Sequence, residues 1–459
     1  MTRVTGIVKS ALRKIEMDRA VAYAVLSNIA SLIFGPVTAL LVATRFSPDL
    51  QGYYYTFGSL TSLQFLVELG LGQAIIQFAS HEWAGLGFDA NRRIVGAEDS
   101  LSRLISLGRL SFKWYSIAAV VILVVLGVGG YAFFARSPTP GINWMWPWFA
   151  VCLGLSLNLV LTPMFFLLQG CNQVSQFWFY RFIQQIVNGL VLWIAILSGA
   201  ALWSGPIAMA CGLVWSVVFL LQYVVFFKTF LSRPVGPRIA WSSEVWPIQW
   251  RIAVSWFSTY FTSQLFTPVI FKFSGPAVAG QMGLTNTLAN VLVAISSNWV
   301  VTKAPRFGGL VARHQFKALD RTFFRSLLVS IVVACLGAAM GALLIYVLNL
   351  MGNPLSSRIL PPLTATLFLM AGVVSSTLAG LAVYLRAHKK EPLVGVFFSA
   401  SLVVVILTLF LGSRIGALGI AIGYLGVLVF YQLPVSIAIF QRCRRKWHSI
   451  QLFSEESAN

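Results

Sequence analysis

Twelve apolar runs follow one another along the chain, at about 20–44, 53–79, 114–134, 144–168, 177–197, 205–227, 250–272, 276–301, 326–350, 360–385, 392–412 and 416–440. Each is about as long as the roughly 20 residues a helix needs to cross a bilayer. Turns of polar, Gly and Pro residues separate them, so the pattern predicts twelve transmembrane helices and almost nothing else. Six runs precede residue 228 and six follow residue 249, and the segment between them carries Pro234, Pro237 and Pro247. This predicts an all-α membrane protein of two pseudo-symmetric six-helix bundles, 1–235 and 236–459, around a central cavity. An internal echo supports the division. The first run ends Arg45-Phe46-Ser47-Pro48 and reaches Gly52; the seventh ends Lys272-Phe273-Ser274-Gly275-Pro276 and reaches Gly280. An even number of helices per half makes the repeats parallel, related by an axis along the membrane normal.

Within the runs, polar residues fall into rows at helical spacing. On the second run Tyr53, Phe57, Thr61, Gln64 and Glu68 would share one face, and on the first Ser27, Ser31, Phe34, Thr38 and Arg45. Arg181, Gln184, Gln185 and Asn188 align on the fifth at i, i+3, i+4 and i+7. The seventh carries Arg251, Ser255, Ser258, Thr259, Thr262 and Phe266, and the eighth Asn286, Asn290 and Ser297. Helices facing lipid cannot carry such rows, because unsatisfied amides in hydrocarbon are costly. Interhelical hydrogen bonding accounts for Ser and Thr; aligned Gln, Asn, Arg and Glu point instead to a hydrated cavity. Two further segments, the chain start around Ile7, Leu12 and Ile15 and the stretch 101–113, read as amphipathic helices lying on the membrane surface.

Charge orients the weave. Twenty-eight of the 33 lysines and arginines fall in alternate loops or in the run ends that adjoin them, leaving only Arg45, Arg136, Lys272, Arg358 and Arg414 for the other face. Positive loops stay in the cytoplasm, so both termini are expected there. The formal net charge of +20 is then a property of loops facing anionic headgroups and not a sign of nucleic-acid binding. The first 19 residues lack a cleavage pattern and are read as preceding a retained first helix.

Catalytic chemistry is sparse. The four histidines are scattered, and the five cysteines form neither a disulfide framework nor a metal pattern. No Gly-Lys dipeptide exists to build a phosphate-cradling nucleotide loop. The expectation is a protein that is no enzyme and holds neither cofactor nor metal. Only Glu68 among 13 carboxylates lies deep in a run, where it is costly unless it is protonated, paired or in a cavity. It is a candidate site for coupling to H+ or Na+, the alternative being a static ion pair. Arg45 and Lys272 stand at matching ends in the two halves, and with Arg181 they suit a negatively charged cargo.

The stretch RFSPDLQGYYYTFGSLTSLQFLVELGLGQAIIQFASHE at 45–82 contains Gly52-Tyr53 and Glu68-Leu69-Gly70-Leu71-Gly72, and YLRAHKKEPLVG stands at 384–395. These motifs make the chain similar to the Wzx-type O-antigen and polysaccharide flippases of the multidrug/oligosaccharidyl-lipid/polysaccharide (MOP) exporter superfamily. The resemblance covers the topology of nearly the whole chain, while its motifs occupy about a tenth of it. It implies a two-bundle transporter with a V-shaped cavity lined mainly by the first, second, seventh and eighth helices. It also implies alternating-access transfer of undecaprenyl-pyrophosphate-linked oligosaccharide across the bacterial cytoplasmic (inner) membrane, in surface polysaccharide biosynthesis. Expected partners are membrane lipids and the polysaccharide polymerase and glycosyltransferases of the same pathway. One departure is that most basic residues here lie near helix ends rather than in a deep cationic cluster.

The residues expected to meet substrate are therefore Arg45, Gln64, Arg181, Gln184, Gln185, Asn188, Lys272, Asn286 and Asn290, with Glu68 for ion coupling. Two other transporter classes fit the twelve-run pattern: an ion-driven small-molecule exporter of the same superfamily, and a major-facilitator sugar permease. The stretch Gly85–Arg93 partly imitates the loop signature of the latter, without the basic residue after Asp89.

Overall fold

The computed structural model describes residues 19–68, 70–89, 92–136 and 139–456. The expected surface helix around Ile7, Leu12 and Ile15 lies outside these residues. The described chain is helical apart from one small hairpin. In order, the elements are α1 (Arg19–Arg45), α2 (Pro48–Thr61), α3 (Gln64–Glu68), α4 (Leu71–Trp83), β1 (Leu86–Phe88), β2 (Ile94–Gly96), α5 (Glu98–Ala135), α6 (Met145–Gly170), α7 (Val174–Leu197) and α8 (Ser204–Leu221). After α9 (Val224–Lys228) and the connecting segment come α10 (Trp246–Ser263), α11 (Phe266–Ser274), α12 (Pro276–Val301), α13 (Ala304–Ala312), α14 (Phe316–Leu350), α15 (Pro362–Ala387), α16 (Val394–Arg414), α17 (Ala417–Val427) and α18 (Leu433–Glu456).

All twelve apolar runs are helical. Among the described residues ten helices are long and apolar enough to cross a membrane, and the bent pair Pro48–Glu68 and Leu71–Trp83 makes an eleventh. The second, sixth and seventh runs depart from single helices, the sixth at a turn over Gln222–Tyr223 between α8 and α9. In the second, Thr61 and Ser62 turn their hydroxyls onto the carbonyls of Phe57 and Gly58 at 2.9 Å, and α2 stops there. Gly70, with φ of 69°, then opens α4 at a 43° bend; the left-handed conformation is one that glycine adopts without cost. The expected common face from Tyr53 to Glu68 is therefore not continuous: Gln64 and Glu68 sit on a separate five-residue helix. The seventh run breaks at Gln264–Leu265, where Pro268 has no N–H to offer the Gln264 carbonyl one turn earlier.

The 101–113 stretch is no separate surface helix. It forms the first part of α5, which begins with Glu98 and Asp99 in its first turn and runs 38 residues. At 1.5 Å per residue that is about 57 Å, well beyond a hydrocarbon core of about 30 Å. Gly85–Arg93, whose sequence imitates a transporter loop, contributes instead to an antiparallel hairpin pairing Leu86 with Gly96 and Phe88 with Ile94. The Asp89 carboxylate accepts the Arg93 N–H at 2.7 Å to close it.

Packing divides the chain into two units. One comprises residues up to Arg45 with Leu63–Ala253, the other Phe46–Ser62 with residues from Val254 onward. The chain-order boundary at 235/236 is thus not the line along which helices pack. In the second unit α2 lies against α12, and the internal echo explains how. Each helix opens Pro-x-x-x-Gly, Pro48 to Gly52 and Pro276 to Gly280, with the Ser47 hydroxyl capping the Leu50 N–H at 3.2 Å. A Cβ on Gly52 would overlap the Pro276 carbonyl, and one on Gly280 would stand 2.9 Å from the Gly52 nitrogen and 3.1 Å from the Pro48 carbonyl. The two motifs approach each other reciprocally, with backbone against backbone. Gln51 completes the joint by donating its amide to the carbonyls of Gly280 at 2.9 Å and Arg358 at 3.1 Å.

In the first unit the connecting segment is laced onto α5. The Gly236 and Ile239 N–H groups donate to the hydroxyls of Ser102 and Ser106 at 2.9 and 3.0 Å. Trp241 stacks on Trp114 at 5.4 Å. Those bonds, rather than its place in the chain, are why residues up to 253 pack with the N-terminal helices.

Candidate functional site

The polar row on the fifth run is realised on α7. Gln184 donates to the Ser216 hydroxyl of α8 at 3.2 Å, and the Tyr180 hydroxyl lies 2.6 Å from the same oxygen. Ser216 itself donates to the Gly212 carbonyl at 2.7 Å. Arg181 is exposed and donates to the Gln184 amide oxygen at 3.3 Å. One turn on, Asn188 packs directly on Gly212, where a Cβ would approach its amide to 2.8 Å. The Asn188 amide oxygen is buried with no partner among the described residues. Gln185 is half-buried on the neighbouring face. The i, i+3, i+4, i+7 spacing therefore yields one hydrogen-bonded chain, Arg181–Gln184–Ser216–Tyr180, with a buried amide oxygen beyond it. Gln184 is held by interhelical bonds, while Arg181 is exposed.

The row on α1 is used differently. Thr38 accepts the Trp193 indole N–H of α7 at 2.9 Å, Phe34 packs on the Trp193 ring at 4.6 Å, and the Ser31 hydroxyl returns to its own helix at the Ser27 carbonyl. These are packing and capping contacts. Arg45 ends α1 exposed to its surroundings.

Glu68 ends α3, partly buried, with Tyr115 of α5 within electrostatic reach. Among the described residues no salt bridge joins it to a basic side chain. Gln64 begins the same short helix, also partly buried.

In the second unit Asn286 of α12 donates to the carbonyl of Ser263, the last residue of α10, at 2.9 Å. It thereby satisfies a backbone group that the break in the seventh run leaves open. Asn290, one turn on, is exposed. Lys272 is exposed on α11, with its ammonium 5.2 Å from the Phe273 ring centre. The side chains of Arg251, Ser255 and Thr259 lie outside the described residues. Ser258 is buried, and Thr262 donates back to its carbonyl at 2.7 Å.

Two ionic clusters escape a sequence reading. Arg103 donates to Glu82 and to Glu244, each at 2.7 Å, and so ties α4, α5 and the connecting segment together. The Ala240 N–H and Arg103 hold the Glu244 carboxyl below the usual carboxylate range. In the second unit Arg444 of α18 donates to Asp320 of α14 at 2.6 Å, and Asp320 accepts the Tyr384 hydroxyl of α15 at 2.8 Å. The partners are 21 to 141 residues apart in sequence, so no periodic pattern connects them.

No protein-family model matches the chain, and no curated protein is significantly similar to it in sequence. Solved structures do match its fold. A multidrug resistance MATE family transporter of the MOP superfamily, in an inward-facing conformation, aligns with a TM-score of 0.65 at 9% identity, covering 93% of this chain and 99% of its own. The lipid II flippase MurJ, in an inward closed conformation, aligns at 0.58 and 12% identity, covering 96% and 93%. The MATE multidrug transporter DinF-BH in complex with R6G aligns at 0.57 and 13% identity, covering 93% and 95%. At such identities the likeness is one of fold. With its chain of apolar helices, the protein is a multi-pass membrane protein with the fold of the MOP-superfamily transporters.

Proposed function

We propose that the protein is a flippase for a polyprenyl-pyrophosphate-linked oligosaccharide, working by alternating access in a bacterial cytoplasmic membrane with both termini in the cytoplasm. The observation that carries this reading is the ion balance of the polar rows. Arg45 and Lys272 stand exposed near the ends of apolar helices and Arg181 is exposed on α7, one turn from the half-buried Gln185, while a single carboxylate, Glu68, lies deep in an apolar run. Apolar helices that carry cations and amides suit a cargo of phosphate and hydroxyl groups: arginine and lysine meet phosphate, and amides bond to hydroxyls. The Wzx-type motifs at 45–82 and 384–395 point to the same cargo class, with the O-antigen polymerase and glycosyltransferases as pathway partners. The polyprenyl tail would stay in lipid while the headgroup crosses.

Deleting the gene tests the reading. Lipid-linked repeat units should accumulate on the cytoplasmic side and surface polysaccharide should disappear. A deletion strain with normal surface glycan but impaired efflux of cationic dyes would establish the multidrug-exporter reading in its place.

Glu68 favours ion coupling within either reading, because it is partly buried in an apolar run, with no ion pair to a basic side chain among the described residues. Burial favours the protonated form of a carboxyl and opening to water favours the charge. Glu68→Gln should uncouple transport from the H+ or Na+ gradient and lower its rate at least tenfold. Unchanged gradient dependence in vesicles would remove Glu68 from the coupling step.

A further inference from the structure

In the second unit the ends of α14 and α18 meet on the face of the weave that carries the basic loops. Arg444 of α18 donates to Asp320 of α14, its guanidinium carbon stands 5.2 Å from the centre of the Phe324 ring, and Phe440 lies edge-on to that ring at 6.2 Å. Since α14 starts at this end and α18 finishes there, the two helices run antiparallel. Their right-handed turns therefore carry successive residues beyond the seam to the same two sides. One side is core: Leu319, Phe323 and Phe440 are buried there with Tyr384. On the other side α14 presents Lys317, Arg321, Arg325 and Leu328, all exposed, within an arc of about 80°. Alongside them α18 presents Ile437, Gln441 and Arg445, one turn apart and likewise exposed.

These cations meet no counter-charge within the protein. Among the described residues none of Lys317, Arg321, Arg325 and Arg445 forms a salt bridge. The carboxylate on the seam, Asp320, is already held by Arg444 at 2.6 Å and by the Tyr384 hydroxyl at 2.8 Å. Depth is fixed by the apolar runs: Arg325 immediately precedes the run 326–350, and Gln441 immediately follows the run 416–440. Arg321 and Arg445 each stand one turn, about 6 Å, further out. That places them in the headgroup layer, which extends roughly 5–7 Å beyond the hydrocarbon on each side. One turn inward from Arg325 and Gln441 come Leu328 and Ile437, 62% and 37% exposed. An acidic protein would match the charges alone; cations continuous with exposed apolar side chains match an amphiphile, anionic at one end and hydrocarbon at the other.

We propose that this side of the α14–α18 seam binds an anionic phospholipid of the leaflet on the side of the basic loops. Arg321, Arg325 and Arg445 meet the phosphate, whose oxygens suit the guanidinium fork. Gln441 donates to a headgroup hydroxyl, and Lys317 adds charge further out. The acyl chains lie along Leu328 and Ile437. The face is exposed along its length, so it selects by charge, and the anionic lipids of the surrounding bilayer are its occupants. None of these residues belongs to the polar rows assigned to the cargo, and the site does not depend on which molecule the protein transports.

Native mass spectrometry of the purified full-length protein tests this with phosphatidylglycerol, phosphatidylcholine, undecaprenyl phosphate and glycerol 3-phosphate as probes. The wild type should hold its tightest phosphatidylglycerol at least tenfold more strongly than phosphatidylcholine, and glycerol 3-phosphate should not displace it. Arg321→Gln, Arg325→Gln and Arg445→Gln should each weaken that lipid about fivefold, the usual scale for one basic residue at an anionic surface. Combined, they should weaken it at least twentyfold; the single variants keep the test readable if the triple variant does not fold. Lys228→Gln, Arg233→Gln and Arg238→Gln together remove the same charge from exposed positions on the connecting segment, and should change it less than twofold. An equal loss in that second triple variant would mean that net charge alone attracts the lipid and would overturn the site. So would unchanged binding in the first set, equal binding of phosphatidylcholine, displacement by glycerol 3-phosphate, or tighter binding of undecaprenyl phosphate than of phosphatidylglycerol. Because the readout is lipid binding, its failure leaves the flipping proposal untouched, and a flipping defect does not bear on it.

Discussion

Gly52→Ala should melt well below the wild type while Gly58→Ala, six residues along the same helix, should melt at or slightly above it. The two glycines are chemically equivalent and differ only in what stands opposite. An added methyl at Gly52 would occupy the space of the Pro276 carbonyl, backbone that cannot swing aside, whereas a Cβ at Gly58 meets nothing within 4 Å. Overpacking a close helix contact costs about 1–3 kcal/mol, and the rigid neighbour places Gly52 at the upper end of that range. At Gly58, alanine gains about 0.5 kcal/mol by restricting the unfolded chain. Heating detergent-solubilised protein and following the monodisperse fraction by size-exclusion chromatography separates the two signs. Coincident melting of Gly52→Ala and wild type would mean that α2 and α12 are not joined through these glycines.

Arg103→Ala should be the most damaging change of a charged residue. Glu82 is buried, its side chain only 6% exposed, and Arg103 is the residue that neutralises it while also holding Glu244 of the connecting segment. Removing the guanidinium strands one carboxylate in a poorly solvated place and frees the other. Breaking a fully buried pair costs about 3–5 kcal/mol; the partial solvent access of Arg103, at 27%, brings the expected loss to about 2 kcal/mol. Adding Glu82→Gln to Arg103→Ala should restore a substantial part of it, since the stranded charge is then gone. The single variant should also expose the 228–249 segment to limited proteolysis, because Glu244 docks that segment onto α5. No rescue by Glu82→Gln would show that Arg103 acts through packing alone. Glu244 is held below the ordinary carboxylate range, so its contribution persists at neutral pH. It should fade only as pH falls below about 4, through the depressed value.

Much of this architecture is legible in the sequence. All twelve apolar runs are helical, though three are broken into shorter helices, because a run of about 20 apolar residues has few other ways to bury its backbone polar groups. The Arg181, Gln184, Asn188 spacing translates directly into geometry: Gln184 reaches Ser216 and Asn188 packs on Gly212 of the same neighbouring helix. The echo of Pro48–Gly52 in Pro276–Gly280 is real as well, although sequence alone showed only that the motifs were alike and not that they touch.

Where the structure departs from the pattern, two separate physical reasons apply. Treating the second run as one helix put Gln64 and Glu68 in line with Tyr53, yet hydroxyls at Thr61 and Ser62 and the left-handed Gly70 interrupt it. Hydropathy registers that a segment is apolar and is blind to whether its helix is unbroken. The hairpin at 86–96 went unseen because three-residue strands are too short to show an alternating pattern.

Composition and periodicity were enough to establish the membrane class, the number of apolar runs and the side on which positive charge gathers. These follow from the cost of burying charge and backbone in hydrocarbon, a cost that acts residue by residue along the chain. Which helices pack together, where spans break and how the 228–249 segment is docked are matters of three-dimensional packing. They arise from contacts such as Arg103–Glu244 and Gln51–Arg358, whose partners stand 141 and 307 residues apart, and no local pattern in a sequence records contacts of that range.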